Sequence, residues 1–190
     1  MALDSLTGCS IAVSLNWTAA KNITGTDYAP INNASNVRKS CSLGTAAANA
    51  AAGGADELAS FIQSIAASGS ATIDLTSFTD ILNIAASSFV RVKAILIRLL
   101  SVADDAAVGT ACSGITIGNA ASNQFISQSG TGWLSTATSV IDVPGGGFIA
   151  FGVANAAGVA VDGTHKSLKV LNLDGAVAAK VQISLIGGST

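Results

Sequence analysis

The strictest constraint on this chain is a two-residue apolar period that recurs along its length. Near the start, Cys9, Ile11, Val13, Leu15 and Trp17 alternate with Ser10, Ala12, Ser14 and Asn16. Near the end, Val181, Ile183 and Leu185 alternate with Lys180, Gln182 and Ser184. Successive side chains of a strand point to opposite faces, so each alternation marks a strand with one side against a core. No comparable 3.6-residue period is sustained, and the expected class is therefore all-β.

Between those ends the same reasoning places further strands. Asn36 to Leu43 follows a loop or arm from Lys21 to Asn36, whose Asn, Thr, Gly, Asp and Pro content favours turns. Gly44 to Ala55 is an Ala/Gly tract fit for a short helix or an extended strap. Leu58 to Ala67 stays ambiguous between helix and strand, whereas Ala71, Ile73 and Leu75 alternate clearly. Asp74 to Asn83 reads as a turn or one helical turn, since Asp and Thr cap helix starts.

Phe89 to Leu100 is expected to be a central strand because its β-branched content is high and a helix would set Arg91 and Lys93 on nearly opposite sides. In that strand Val90, Val92, Ala94 and Leu96 line one face, and Arg91 and Lys93 emerge from the other before Ile95, Ile97 and Leu99 take it over. Ser113 to Asn119, Val140 to Val143, Gly147 to Val153, Leu168 to Leu173 and Lys180 to Ile186 complete the set. Many short strands with turn chemistry between them point to a β-sandwich of jelly-roll-like kind. Residues 1–43 form an N-terminal strand and an irregular arm, and residues 44–190 the sandwich core.

Charge then narrows the role. Asp, Glu, Lys and Arg make up 11% of the chain, against about 25% in an ordinary soluble domain, and the mean hydropathy is +0.56. A membrane span is not the expected explanation, because the longest apolar stretch, Ile84 to Ala103, contains Arg91, Lys93 and Arg98, each costing about 2.5 to 3.5 kcal/mol at a bilayer centre. Neighbouring protein copies covering apolar surface are. A net charge of −2 with no basic run excludes a phosphate-neutralising nucleic-acid surface. Met1 to Leu6 lacks the basic and apolar regions of a secretory leader, so synthesis in a cytoplasm is expected.

Residues with chemical potential each have a plainer reading. His165, the one histidine, lies in Asp162-Gly163-Thr164-His165-Lys166 and reads as a solvated loop residue; any Ser-His-Asp or Cys-His mechanism would pass through it. Asp104 and Asp105 are adjacent and read as a solvated turn. Cys9, Cys41 and Cys112 lack metal-ligand spacing and read as small buried residues. Pro144-Gly145-Gly146-Gly147 lacks the Gly-Lys-Ser/Thr of a phosphate loop and reads as a turn into the next strand. Trp17 reads as core, while Trp133, in a Gly-rich stretch, reads as exposed or interfacial and forms with Tyr28 the basis of a carbohydrate-binding alternative. The expectation is thus no catalytic residue, no cofactor and no metal site.

Asp74-Leu75, Arg91-Val92-Lys93-Ala94-Ile95, Pro144-Gly145-Gly146-Gly147 and the closing Leu168 to Gly188, ending Ile186-Gly187-Gly188-Ser189, resemble small virion structural proteins of tailed bacteriophages. The resemblance covers residues 44–190, and the chain departs from it in the more apolar Leu99 to Val108 and in the N-terminal arm. It implies a non-enzymatic structural role in the virion: a capsid decoration or cement protein, homo-oligomeric with a trimer favoured, in contact with the major capsid protein or another virion protein. Direct nucleic-acid and membrane contacts are not expected. A neck or tail adaptor or a fibre component is the alternative placement.

Overall fold

A computed structural model describes residues 10–19, 33–42, 55, 57–79, 86–101, 104, 110–127, 132–134, 136, 138–153 and 158–188. Its strands are β1 (Ser10–Ala19), β2 (Asn33–Ser42), β3 (Glu57–Ile65), β4 (Ser70–Asp74), β5 (Phe78–Thr79), β6 (Ala86–Ser87), β7 (Arg91–Leu99), β8 (Gly114–Gly118), β9 (Val140–Pro144), β10 (Phe148–Gly152), β11 (Val159–Ala160), β12 (Ser167–Asn172) and β13 (Ala179–Gly188). No helix occurs among the described residues.

The strands form a β-sandwich, as the alternation predicts. One sheet has the order β10-β7-β13-β3, with β11 also on β7, and the other has the order β4-β12-β8-β9. All their pairings are antiparallel, and they are nested: β8 with β9, β7 with β10, β4 with β12, β3 with β13. The two inner faces meet in one core, where Ile95, Ile97, Val181, Ile183 and Leu185 of the first sheet and Ile115, Ile117, Leu168 and Val170 of the second are fully buried.

β13 is central because every second side chain is a large aliphatic and both its edges are paired, to β3 and to β7. The antiparallel sheet β1-β2 is separate, with registers such as Leu15↔Val37 and Trp17↔Ser35. Its β2 confirms the strand expected after Asn36 but begins at Asn33. The arm expected from Lys21 to Asn36 is corrected at its end: the ladder runs on to Ala19↔Asn33, and backbone pairing overrides the turn propensity of Asn33 to Asn36. The remaining arm residues and most of the Ala/Gly tract lie outside the described residues.

The face assignment in β7 also needs correction. Ile186 pairs with Ala94 but Gly187 pairs with Val92, so Lys93 is an extra residue, a β-bulge. The bulge resets the alternation: Val92 joins Ile95, Ile97 and Leu99 in the core, and Lys93 is 2% exposed rather than emerging into solvent. Gly187 is what permits this close approach, because a Cβ there would collide with the carbonyl oxygen of Arg91 and lie 2.7 Å from Phe89 Cδ1. The Gly-Gly that closes β13 therefore has a steric cause.

Two turns carry the chain between the sheets. Gly147 N–H donates to Pro144 O at 2.8 Å, and Gly146 has φ +71°, so the Pro144–Gly147 turn is of the type that needs glycine at its third position. At the β3–β4 turn, Asn172, 2% exposed, ties three segments together. Its Nδ2 donates to Ile65 O, Ala66 O and Val177 O at 3.3, 3.0 and 2.8 Å. Its Oδ1 accepts from Asp174 N–H at 2.9 Å and from Cys112 Sγ at 3.1 Å.

Candidate interaction surface

An antiparallel sheet packed on one side normally turns polar side chains outward. Directly paired residues share a face, so the registers give the outer face of the β10-β7-β13-β3 sheet as three middle rows, flanked by Lys180–Ser64 at one end and Ala160–Arg91–Gly188 at the other. The middle rows are Phe148–Arg98–Gln182–Ile62, Ala150–Leu96–Ser184–Ser60 and Gly152–Ala94–Ile186–Leu58. Most of these positions are apolar or glycine. Phe148, Ile62 and Leu58 are 59%, 53% and 39% exposed.

The polar members of this face are largely engaged with one another. Ser60 and Ser184 share a hydroxyl hydrogen bond of 2.9 Å across β3 and β13. Arg98 is ion-paired with Asp104, whose other oxygen accepts from Ser101 N–H and Oγ at 2.9 and 2.8 Å. The carboxylate thus neutralises the one charge in the three rows, and Asp104 has a definite partner where a merely solvated turn was expected. Asp105 lies outside the described residues.

The second sheet supplies an internal control. Its outer rows are Ser70–Leu171–Thr116–Asp142, Thr72–Lys169 with Gly118–Val140, Asp74–Ser167, and Gly114–Pro144 beside the half-exposed Leu173. Hydroxyls and charges are more frequent there, with Val140, Leu171, Pro144 and Leu173 the larger apolar members. Thr116 Oγ1 donates to Asp142 at 2.7 Å, and Lys166 Nζ reaches Asp74 at 2.6 Å. The Lys166 hydrogen bond, then that of Thr76, holds the Asp74 carboxyl at about 2, below its ordinary 3.8. The first sheet's outer face carries three half-exposed large apolar side chains, Phe148, Ile62 and Leu58, and the second sheet's carries two, Val140 and Leu173, among more hydroxyls and carboxylates. Full burial of a large aliphatic or aromatic side chain is worth roughly 1.5 to 3 kcal/mol. The half-exposed Phe148, Ile62 and Leu58 therefore offer on the order of 3 kcal/mol per copy to whatever covers them.

The other sequence candidates fall elsewhere. His165 sits in an exposed turn where Asp162 Oδ1 accepts from Thr164 N–H and Oγ1, both at 2.7 Å, and lies 3.1 Å from His165 Nδ1. Thr164, ahead of His165, lowers the Asp162 carboxyl to about 2. This arrangement closes a turn: the Thr164 hydroxyl, 3.0 Å from His165 Nδ1, and the imidazole converge on the one carboxylate of Asp162.

Trp133 is corrected from exposed or interfacial to half-buried packing. It stacks on Phe151 at 5.2 Å and 13° and meets Phe125 edge-on at 5.5 Å, so a ring face needed for a sugar is occupied. Tyr28 and the Trp17 side chain lie outside the described residues. Cys112 is buried, as expected, while Cys9 and the Cys41 side chain lie outside them. Among the described residues no group of three or more His, Cys, Asp or Glu is placed to hold a metal ion. Nor is any helix long and apolar enough to cross a membrane.

Sequence reading missed the apolar outer face of β3, although its signal was present. Leu58, Ala59, Phe61, Ile62 and Ile65 break the alternation of β3 because both of its faces are apolar. No protein-family model, curated protein or solved structure matches this chain.

Proposed function

We propose that this chain is a non-enzymatic structural subunit of a virion: a capsid decoration protein that stabilises a phage head through contacts between its own copies and with coat subunits. The observation that carries the reading is the middle of the outer face of the β10-β7-β13-β3 sheet, three mostly apolar rows in which Phe148, Ile62 and Leu58 stand half-exposed and Arg98 is paired with Asp104. Subunits that work by being covered have such a face. The nested strand pairing supports a jelly-roll wiring, an architecture frequent in viral coats. Fold alone assigns no function, so the greater weight rests on the face.

The mechanism is passive. Each copy contributes a modest apolar contact, and symmetric repetition over a particle converts modest contacts into firm attachment. The test is to purify the particles, quantify this protein in them and image its position with a specific antibody. Many copies on the head are expected. Absence from the particles overturns the reading, and density confined to the neck or tail overturns the decoration role.

A further inference from the structure

We infer that the free edge of β10 is a docking site for an extended, uncharged segment of another polypeptide, which adds to the β10-β7-β13-β3 sheet as a further strand. The site stands on the edge itself. Joined to the assembly reading above, the segment comes from a neighbouring protein of the particle.

The argument begins with the backbone. Leu99 N–H donates to Gly147 O at 2.9 Å, and Val153 N–H donates to Lys93 O at 2.8 Å. In an antiparallel ladder such bonded pairs alternate with unbonded ones. Ile149 and Phe151 therefore bond to Ile97 and Ile95 of β7, while Phe148, Ala150 and Gly152 turn their N–H and C=O groups away from it. β10 ends the strand order of its sheet, and among the described residues no strand other than β7 pairs with it. Its outward donors and acceptors thus stand in a row at a repeat of about 7 Å. The ligand that satisfies them together is the backbone of an extended chain.

The four edge strands of the sandwich differ in how they guard against such pairing. Charge and proline on an edge deter a new strand. β3 starts with Glu57, β4 ends with Asp74, and β9 carries Asp142 and closes on Pro144, which has no N–H. β10 reads Phe148-Ile149-Ala150-Phe151-Gly152 and has neither device. It is five residues long, so a second copy would bring only an equally short undefended edge. A segment of a different protein is not limited in that way.

Side chains set what the segment carries. Ile149 and Phe151 are half-buried at the margin of the core, while Phe148 is 59% exposed on the outer face. A strand laid beside β10 sets its alternate residues next to each group. Aliphatic residues at one set of positions extend the core over Ile149 and Phe151, and small or hydroxyl residues at the other set suit Ala150 and Gly152. β10 holds no ionisable side chain, so the segment needs no charge to match it.

The test is NMR on the full, isotope-labelled chain. The probe is a capped peptide of alternating Thr and Val, flanked by one Lys at each end for solubility. In the dilute chain alone, amide exchange at Phe148, Ala150 and Gly152 is expected to be about 100-fold faster or more than at Ile149 and Phe151. Adding the peptide should shift signals along β10 and slow exchange at those three outward amides. The same peptide N-methylated at every residue should leave them unmoved, because it has no N–H to donate. Ala150→Pro removes one outward N–H and leaves the bonds to β7 in place. That chain should keep its circular dichroism spectrum and bind the peptide at least about fivefold more weakly.

Slow exchange at all three amides in the dilute chain alone overturns the open edge. Backbone pairing is overturned by a peptide that moves no β10 signal, by a methylated peptide that binds as well, or by a folded Ala150→Pro chain that binds unchanged. None of these results bears on presence in the particle, which the imaging above decides separately.

Discussion

Replacing Asn172 should be the most damaging polar substitution in the described core, and its size follows from the bonds it makes. Asn172→Ala removes the donor to Val177 O, Ala66 O and Ile65 O and the acceptor for Asp174 N–H. A typical hydrogen bond contributes about 1 kcal/mol net, and a buried group left without a partner costs about 1 to 3 kcal/mol. The Ala66 and Val177 carbonyls and the Asp174 amide lie at one end of the sandwich, where some water can replace the lost amide. A loss of about 3 kcal/mol is therefore expected. At a urea slope of about 2 kcal/mol/M the unfolding midpoint falls by about 1.5 M.

Asn172→Asp should be worse at neutral pH, since an ionised carboxylate would face three carbonyl oxygens that now receive a hydrogen bond. Acidification should recover part of that extra loss, because the protonated acid can donate once. The assay is urea unfolding at fixed protein concentration, followed by intrinsic fluorescence at pH 7 and pH 4. A midpoint shift under about 0.5 M for Asn172→Ala, or an Asn172→Asp variant as stable as the unaltered chain at pH 7, would refute the reasoning.

Three further outcomes are expected. Gly187→Ala should prevent the β7–β13 bulge from closing and cost about 3 kcal/mol or more, read as a fall in the thermal midpoint or as insoluble protein; an unchanged midpoint contradicts the steric account. Asp74 has a folded pKa of about 2, below its ordinary 3.8, so its stabilising effect is complete above about pH 4 and disappears as pH falls through about 2. Asp74→Asn should accordingly flatten the dependence of the thermal midpoint on pH between about 2 and 4, and a curve parallel to that of the unaltered chain contradicts the assigned partners. Phe151→Ala should shift and weaken the tryptophan emission by removing the ring stacked on Trp133, whereas an unaltered spectrum contradicts that packing.

How much of this was legible in the sequence depended on whether a strand has two unlike faces. β13 was plain because Val181, Ile183 and Leu185 are buried while Lys180, Gln182 and Ser184 are not. β3 was ambiguous for the opposite reason: Leu58 and Ile62 lie on the outer face while Ala59, Phe61 and Ile65 lie on the inner one, so the period vanishes where both faces of the strand are apolar.

The bulge at Lys93 was not legible at all. It is created by Gly187, about ninety residues away, and local periodicity has no term for a neighbour brought in by folding. Trp133 was misplaced because its ring stacks on Phe151, a contact that spacing in the chain does not encode. Cys112 and the Pro144–Gly147 turn were read correctly, since burial of a lone cysteine and positive φ at a glycine are local preferences.

The central claim is that the apolar outer face of the β10-β7-β13-β3 sheet exists to be covered by protein. Light scattering on the eluting chain, from dilute to concentrated samples, tests it most directly. A mass rising with concentration above the 18.7 kDa of one copy is the predicted result. A mass fixed at one copy throughout, with no binding to capsids stripped of the protein, would contradict the account.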